Sequence, residues 1–172
     1  AARAAKTIFL NRTCFNGLFR VNSKGFFNVP FGQYKNPTIL FEDKLKTAAK
    51  ALQKATIQLA DFEETKNCIG NQTFIYYDPP YRPVSETSHF TSYAKESFGD
   101  AEQRRLADMF KTLDSGTTYQ LLSNSDPCNY QHDPFFDQLY DGFNIDRVNA
   151  KRMINSNASK RGVLKEIIIR NY

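Results

Sequence analysis

The chain has 172 residues, 41% hydrophobic and 14% aromatic, which is enough apolar surface to bury a core and excludes a disordered chain. No apolar run approaches the ~20 residues a membrane-spanning helix needs, and Ala1 to Lys6 is too short and polar for a secretory signal, so a cytoplasmic protein without a membrane partner is expected. The formal charge of +5 is uneven: six Lys or Arg and no acid from Ala1 to Phe41, seven against the single Glu166 from Arg147 to Tyr172, and four Asp without a base from Pro127 to Asp146. Basic ends around a more acidic middle suit a polyanion lying across one face, although charge alone is explained as simply by a solvated basic surface. Cys14, Cys68 and Cys128 are odd in number and far apart, which argues against a disulfide framework and predicts reduced, mostly buried thiols. Cys128 and His132 have helical spacing but no second ligand pair follows, so no metal is expected.

In chain order, Ile8 to Leu10 reads as the end of a helix, and Asn11 to Lys35, rich in Asn, Gly and aromatics, as loop and hairpin. The character of the chain changes near Pro37 to Phe41. From Glu42 to Ala55 the apolar positions Leu45, Ala48, Ala49, Leu52 and Ala55 recur every three or four residues and predict an amphipathic helix. Ile57, Leu59 and Phe62 suggest a short strand, and Thr73 to Tyr77 predicts another that the paired prolines must end. A helix is predicted over Asp100 to Leu113, with Leu106, Met109, Phe110 and Leu113 on one face and Gly116 beyond its end. Tyr119 to Leu122 is the next strand, and Ile145 to Met153 with Val163 to Arg170 form a closing antiparallel hairpin. Strands separated by helices point to an α/β sheet with an antiparallel pair at its end.

In such sheets ligands lie beyond the carboxyl ends of strands. Three positions of that kind are Asp61-Phe62, Asp78-Pro79-Pro80-Tyr81 and Ser123-Asn124-Ser125-Asp126. Taken alone, the first and third read as ordinary turns. The second, directly after an apolar strand, resembles the signature of amino-methyltransferases, which use S-adenosylmethionine and act on exocyclic amines. An adenine amine is a poor nucleophile because its lone pair is delocalised into the ring. Two acceptors can favour the pyramidal form by holding the two amine hydrogens: the Asp78 carboxylate and a main-chain carbonyl, that of Pro79. The consecutive Pro79 and Pro80 remove competing donors and stiffen the turn, and Tyr81 would stack on the base. In-line transfer then draws on proximity and alignment, without metal or covalent intermediate. A paired adenine must be flipped out of the duplex to reach such a pocket.

Cys14-Phe15-Asn16-Gly17-Leu18-Phe19-Arg20-Val21-Asn22, then Gly25 and Phe27-Asn28-Val29-Pro30-Phe31-Gly32, closely resembles the recognition hairpin of Dam-type DNA adenine methyltransferases, the D12 class acting at GATC-like sites. The resemblance continues through Asp61-Phe62, Asp78 to Tyr81, Ser123-Asn124, and Ser156-Asn157 with Lys160-Arg161, and covers nearly the whole chain. It implies a Rossmann-like S-adenosylmethionine-dependent methyltransferase sheet over residues 42–172 with an antiparallel C-terminal hairpin, and a target-recognition portion with its hairpin over 1–41. The implied partner is double-stranded DNA and the implied state a monomer, in a bacterial, archaeal or phage-infected cell. Arg20 would read a guanine bidentately in the major groove, and Leu18 and Pro30 would touch a thymine methyl. Phe15 would wedge into the stack vacated by flipping, with Asn16 holding the orphaned base; without the resemblance, Phe15 and Leu18 read as core. Asn22, Gln33, Tyr34, Lys35, Lys160 and Arg161 would contact the backbone, and Ser156 and Asn157 would also bind DNA. Asp61, Phe62 and Asp78 would bind the cofactor, the first two at its adenine ring.

The sequence departs from the family pattern in three ways. The pattern has an upstream Gly-rich turn for the methionine end of the cofactor and an upstream Lys that reads the first base. Here no two of the eight glycines lie closer than seven residues, and the expectation is that roughly a hundred residues of the pattern precede Ala1. Gln33 stands where the pattern often has Arg. Two rival readings are an inactive fragment that retains DNA binding, and an amine methyltransferase of RNA or protein glutamine. The latter enzymes usually carry Asn in place of Asp78 and lack the hairpin.

Overall fold

A computed structural model describes residues 1–83, 98–129, 132–151 and 163–172, with side chains of 151 and 163 excepted. Contacts divide the chain into two compact units, Ala1–Leu59 and Ala60–Tyr172.

The first unit opens with helix α1 (Ala2–Thr13), which runs three residues past the expected end and stops where Cys14 turns extended at φ −81° and ψ 166°. A short 3₁₀ turn, Phe15–Gly17, follows, with Asn16 at φ 53° and Gly17 at φ 62°. The chain then folds back as a sparse hairpin with isolated bridges Cys14–Phe31 and Val21–Phe27. Phe15 N–H donates to the Pro30 carbonyl at 2.8 Å and Gly32 N–H to the Thr13 carbonyl at 2.7 Å. Gly32 is required there, because a Cβ would lie 2.9 Å from the Cys14 carbonyl and run into the Tyr34 ring. Asn22 makes the tip: its Oδ1 accepts from the N–H groups of Lys24 and Phe26, each at 3.0 Å. Helix α2 (Glu42–Leu52) is present as expected, but none of its residues is buried, so its apolar stripe is uncovered among the described residues.

The second unit holds a four-stranded sheet in the order β1-β2-β4-β3, from β1 (Thr73–Tyr77), β2 (Thr118–Ser125), β3 (Asn144–Lys151) and β4 (Val163–Arg170). Strands β1 and β2 are parallel, joined through α3 (Asp100–Thr112), while β2–β4 and β3–β4 are antiparallel. This is the expected α/β sheet with its closing antiparallel pair. One sheet face packs on α3 and α4 (Phe135–Leu139) through a core of Ile75, Tyr77, Leu122, Ile167 and Ile169 against Leu106, Phe110, Phe136 and Tyr140. Ile75 and Tyr77 are buried while Phe74 and Tyr76 are exposed, the two-residue alternation of a strand with one covered face. Phe110 sits at the centre, with edge-on contacts to Tyr140 and Phe143 at centroid distances of 5.4 and 5.0 Å.

Three expectations are corrected. The strand suggested by Ile57, Leu59 and Phe62 does not form. Residues 56–61 are unpaired, Ile57 and Leu59 face solvent, and Asp61 instead caps a 3₁₀ helix, Phe62–Cys68, by accepting from Glu63 N–H at 3.0 Å. Strand β2 runs three residues beyond Leu122, because Asn124 and Ser125 pair with Ile167 and Glu166 of β4. Of the cysteines only Cys14 is buried, Cys68 being exposed and Cys128 half-buried.

Candidate active site and nucleic-acid interface

Strand β1 delivers Asp78 one residue past its end, and its carboxylate is exposed. Hydrogen bonds from buried neighbours fix the turn that follows. The fully buried Gln103 of α3 donates to the Pro80 carbonyl at 3.0 Å and accepts from Asn124 at 3.2 Å. Asn124 Oδ1 in turn accepts from Arg82 N–H at 3.0 Å, and Ser125 Oγ donates to the Arg82 carbonyl. The Pro80 carbonyl is therefore engaged. Among the described residues no hydrogen bond reaches the Pro79 carbonyl or the carboxylate of the exposed Asp78. The polar stretch Ser123 to Ser125, expected beyond the strand, lies within it, where Asn124 and Ser125 pin the turn after β1.

Arg82 completes the anchor. Its side chain is 19% exposed and bonds Asp100 at 2.7 Å and Asp133 at 2.6 Å, with the guanidinium 4.2 Å above the Phe135 ring. The Arg82 pair holds the Asp100 carboxyl below the ordinary carboxylate range. Tyr81 is half-buried. Burial raises its phenol above the usual value, Glu166, Asp78 and Tyr76 add to the rise, and a hydrogen bond with Ser123 opposes it, so the ring is neutral at physiological pH. Ser123 Oγ also lies 3.0 Å from the Tyr76 hydroxyl. Asp126, the last of the polar run, is buried and paired with Arg147 at 3.1 Å, and Arg147 also holds Asp137 at 2.7 Å. Its part is to anchor the turn after β2.

Asp61 and Phe62 lie at the start of the 3₁₀ helix before β1. Asp61 Oδ1 accepts from Glu63 N–H and from Arg105 at 3.1 Å, interactions that lower its pKa, the backbone bond most. Oδ2 has no hydrogen bond among the described residues. The Phe62 ring is flanked by the Arg105 guanidinium at 4.9 Å and by Phe98 edge-on at 5.9 Å. An open carboxylate oxygen, an acceptor for an amine hydrogen, beside a half-buried aromatic that offers a stacking face fits an adenine. No cluster that could hold a metal ion is found among the described residues.

On the first unit, Phe15 is 53% exposed and so is not core; Asn16, Asn22, Pro30, Gln33, Tyr34 and Lys35 are exposed as well, and Leu18 and Arg20 are half-buried. Ser156, Asn157, Lys160 and Arg161 lie outside the described residues. Sequence reasoning passed over Gln103, Arg82 and Asn28. Gln103 had a readable signal, a polar residue in line with Leu106, Ala107 and Phe110 on the buried face of α3. A buried amide of that kind needs partners, and here they are the Pro80 carbonyl and Asn124.

The mixed α/β sheet, with an exposed acid and two prolines just beyond a parallel strand, is consistent with the fold of S-adenosylmethionine-dependent methyltransferases. The chain belongs to the D12 class N6 adenine-specific DNA methyltransferases, whose family model matches residues 1–154. It is 49% identical over 171 residues to the Type II methyltransferase M.MjaIII of Methanocaldococcus jannaschii, covering 99% of this chain and 57% of that protein. It is 40% identical over 163 residues to the DNA adenine methylase of Haemophilus influenzae, covering 94% and 54% respectively. To the DNA N-6-adenine-methyltransferase of Escherichia phage P1 it is 32% identical over 168 residues, 96% of this chain and 21% of that protein. The chain thus spans somewhat more than half the length of the first two relatives.

Proposed function

We propose that this chain carries the recognition hairpin and catalytic turn of an enzyme that methylates the exocyclic amine of an adenine flipped out of duplex DNA, at GATC. The observation that carries the reading is the exposed Asp78 carboxylate, with the Pro79 carbonyl beside it, neither hydrogen-bonded among the described residues, on a turn whose Pro80 carbonyl and Arg82 backbone groups are engaged.

Asp78 and the Pro79 carbonyl each accept one amine hydrogen, so the nitrogen lone pair leaves conjugation and points along the transfer axis. Tyr81 lies against the base. Its neutral ring offers a stacking face. Asp61 Oδ2 and Phe62 suit the adenine end of S-adenosylmethionine. When bound, that cofactor would supply a methyl group from a sulfonium sulfur, which would keep the electron pair of the broken bond, while the amine nitrogen would release one proton on the Asp78 side. Gln103, Asn124 and Arg82 do no chemistry. They hold the turn so that the acceptors need not reorganise during transfer, which is where much of the rate advantage of a preformed site arises.

The first unit does the reading: Arg20 pairs with a guanine, Leu18 and Pro30 meet a thymine methyl, and Phe15 and Asn16 occupy the space the flipped base leaves. Asn22, Gln33, Tyr34, Lys35, Lys160 and Arg161 contact phosphates, and Ser156 and Asn157 also bind DNA. The Asn22 side-chain oxygen is committed to the hairpin tip, so only its amide group serves such a contact. GATC itself rests on the likeness of residues 14–32 to the Dam-type hairpin. The test is methylation of duplex oligonucleotides by the full-length protein at GATC and at every single-base variant of it. Methylation confined to GATC is expected; equal methylation of the variants would exclude the assigned site.

A further inference from the structure

We infer that Asn28 is a specificity-determining residue that acts by aiming Arg20, so that the two together form the base-reading unit of the hairpin; the inference rests on the reading of Arg20 given above. Three hydrogen bonds join the pair across the hairpin. Arg20 Nε donates to Asn28 Oδ1 at 2.8 Å, Arg20 Nη2 donates to the Asn28 carbonyl at 2.9 Å, and Asn28 N–H donates to the Arg20 carbonyl at 3.0 Å. The backbone bond sets the two residues opposite each other beside the Val21–Phe27 bridge. The two side-chain bonds do more than tie the strands.

A guanidinium is planar and presents its donors along separate edges. The Nε–Nη2 edge is fully used by the two oxygens of Asn28. The edge left over is the terminal one, where a hydrogen on Nη1 and the second hydrogen on Nη2 point outward in parallel. That edge matches the two acceptors of guanine in the major groove. Holding Nε removes rotation about the last side-chain bonds, so the free edge has one direction before DNA arrives. Arginine otherwise loses considerable rotamer freedom when it is fixed, and a side chain already fixed avoids that loss on binding. It also cannot turn to seek acceptors on a wrong base, which is a contribution to discrimination and not only to affinity. Asn28 needs no contact with DNA to do this, and in that respect it differs from the residues proposed to touch phosphates.

The experiment is methylation by the full-length protein, as wild type, Arg20→Ala, Asn28→Ala and Asn28→Asp, on duplexes carrying the site and each of its single-base changes. Arg20→Ala is expected to lose discrimination at one guanine. Asn28→Ala should lose it at the same base pair by about tenfold or more, with rates on the already mismatched duplexes little changed. Asn28→Asp keeps an oxygen acceptor for Nε and should retain the wild-type ratio between cognate and variant sites, even if its added charge weakens binding to every duplex. Retention by Asn28→Asp also shows that the effect of Asn28→Ala is not a collapse of the hairpin. If Arg20→Ala abolishes discrimination while Asn28→Ala keeps it, the positioning role is wrong and the reading of Arg20 stands. If Asn28→Ala weakens all duplexes equally and flattens the salt dependence, Asn28 is a phosphate contact and the inference fails. If Arg20→Ala keeps full discrimination, the reading of Arg20 fails and takes this one with it.

Discussion

Asp78 stands one residue beyond β1 with its carboxylate in solvent, and an acceptor meant for a substrate has to be left without a partner from its own chain. Replacing it with Ala is expected to remove methyl transfer by the full-length protein while leaving DNA affinity nearly intact. Side-by-side turnover and binding measurements check this, and transfer within about tenfold of wild type, roughly 1.4 kcal/mol, is too small a loss for a group that activates the nucleophile. Arg20→Ala should cost about 1–3 kcal/mol at the cognate site and much less where the guanine is already replaced, read from relative turnover across single-base variants. At this scale the sequence was most legible where a residue's chemistry is unusual for its place, as with an acid followed by two prolines. For Gln103, Asn124 and Asn28 the positions could be read but not the partners, and the importance of these amides lies in which partner they meet. Such partners are set by the fold: Gln103 reaches Pro80 across 23 positions, and Asn124 reaches Arg82 across 42.

Elements followed their patterns where burial decided them. Helix α3 and strands β1 and β4 were readable because Leu106 and Phe110, Ile75 and Tyr77, and Ile167 and Ile169 repeat at the spacing of one covered face. Phe110 is fully buried among aromatic rings, so Phe110→Ala should cost about 3–5 kcal/mol in urea unfolding, and a cost under about 1 kcal/mol would mean the core is not packed as described. Residues Ile57 to Phe62 were misread because apolar side chains without a covering partner carry no information about period, and the cap made by Asp61 decided the local structure. The end of β2 was missed because Ser123, Asn124 and Ser125 look like turn residues, yet pairing with β4 makes them strand. The ion pair between Arg82 and Asp100 ties the turn after β1 to the first residue of α3. Since Asp100 has a lowered pKa in the folded state, its contribution is present above the ordinary Asp range and is lost as pH falls below about 4. Wild type and Asp100→Asn should therefore differ in thermal midpoint at neutral pH and converge at low pH, and a gap that persists unchanged in acid would contradict the pairing.

For the whole molecule, the basic segments at both ends of the chain are expected to neutralise several phosphates, so DNA affinity of the full-length protein should fall steeply between about 50 and 200 mM salt. Titration at stepped salt concentrations checks it, and a flat response would point to a partner other than a polyanion. Among the described residues no helix is long and apolar enough to cross a membrane. The division into two compact units was only partly visible in the sequence: its change of character near Pro37 to Phe41 precedes α2, whose contacts fall within Ala1–Leu59. The most direct test of the central claim is the identity of the methylated base. Duplex DNA incubated with the full-length protein and S-adenosylmethionine is digested to nucleosides and analysed by mass spectrometry, beside the Asp78→Ala variant. The account predicts N6-methyladenine with the wild type and none with Asp78→Ala; methyl groups found on cytosine, or N6-methyladenine undiminished in the variant, would contradict it.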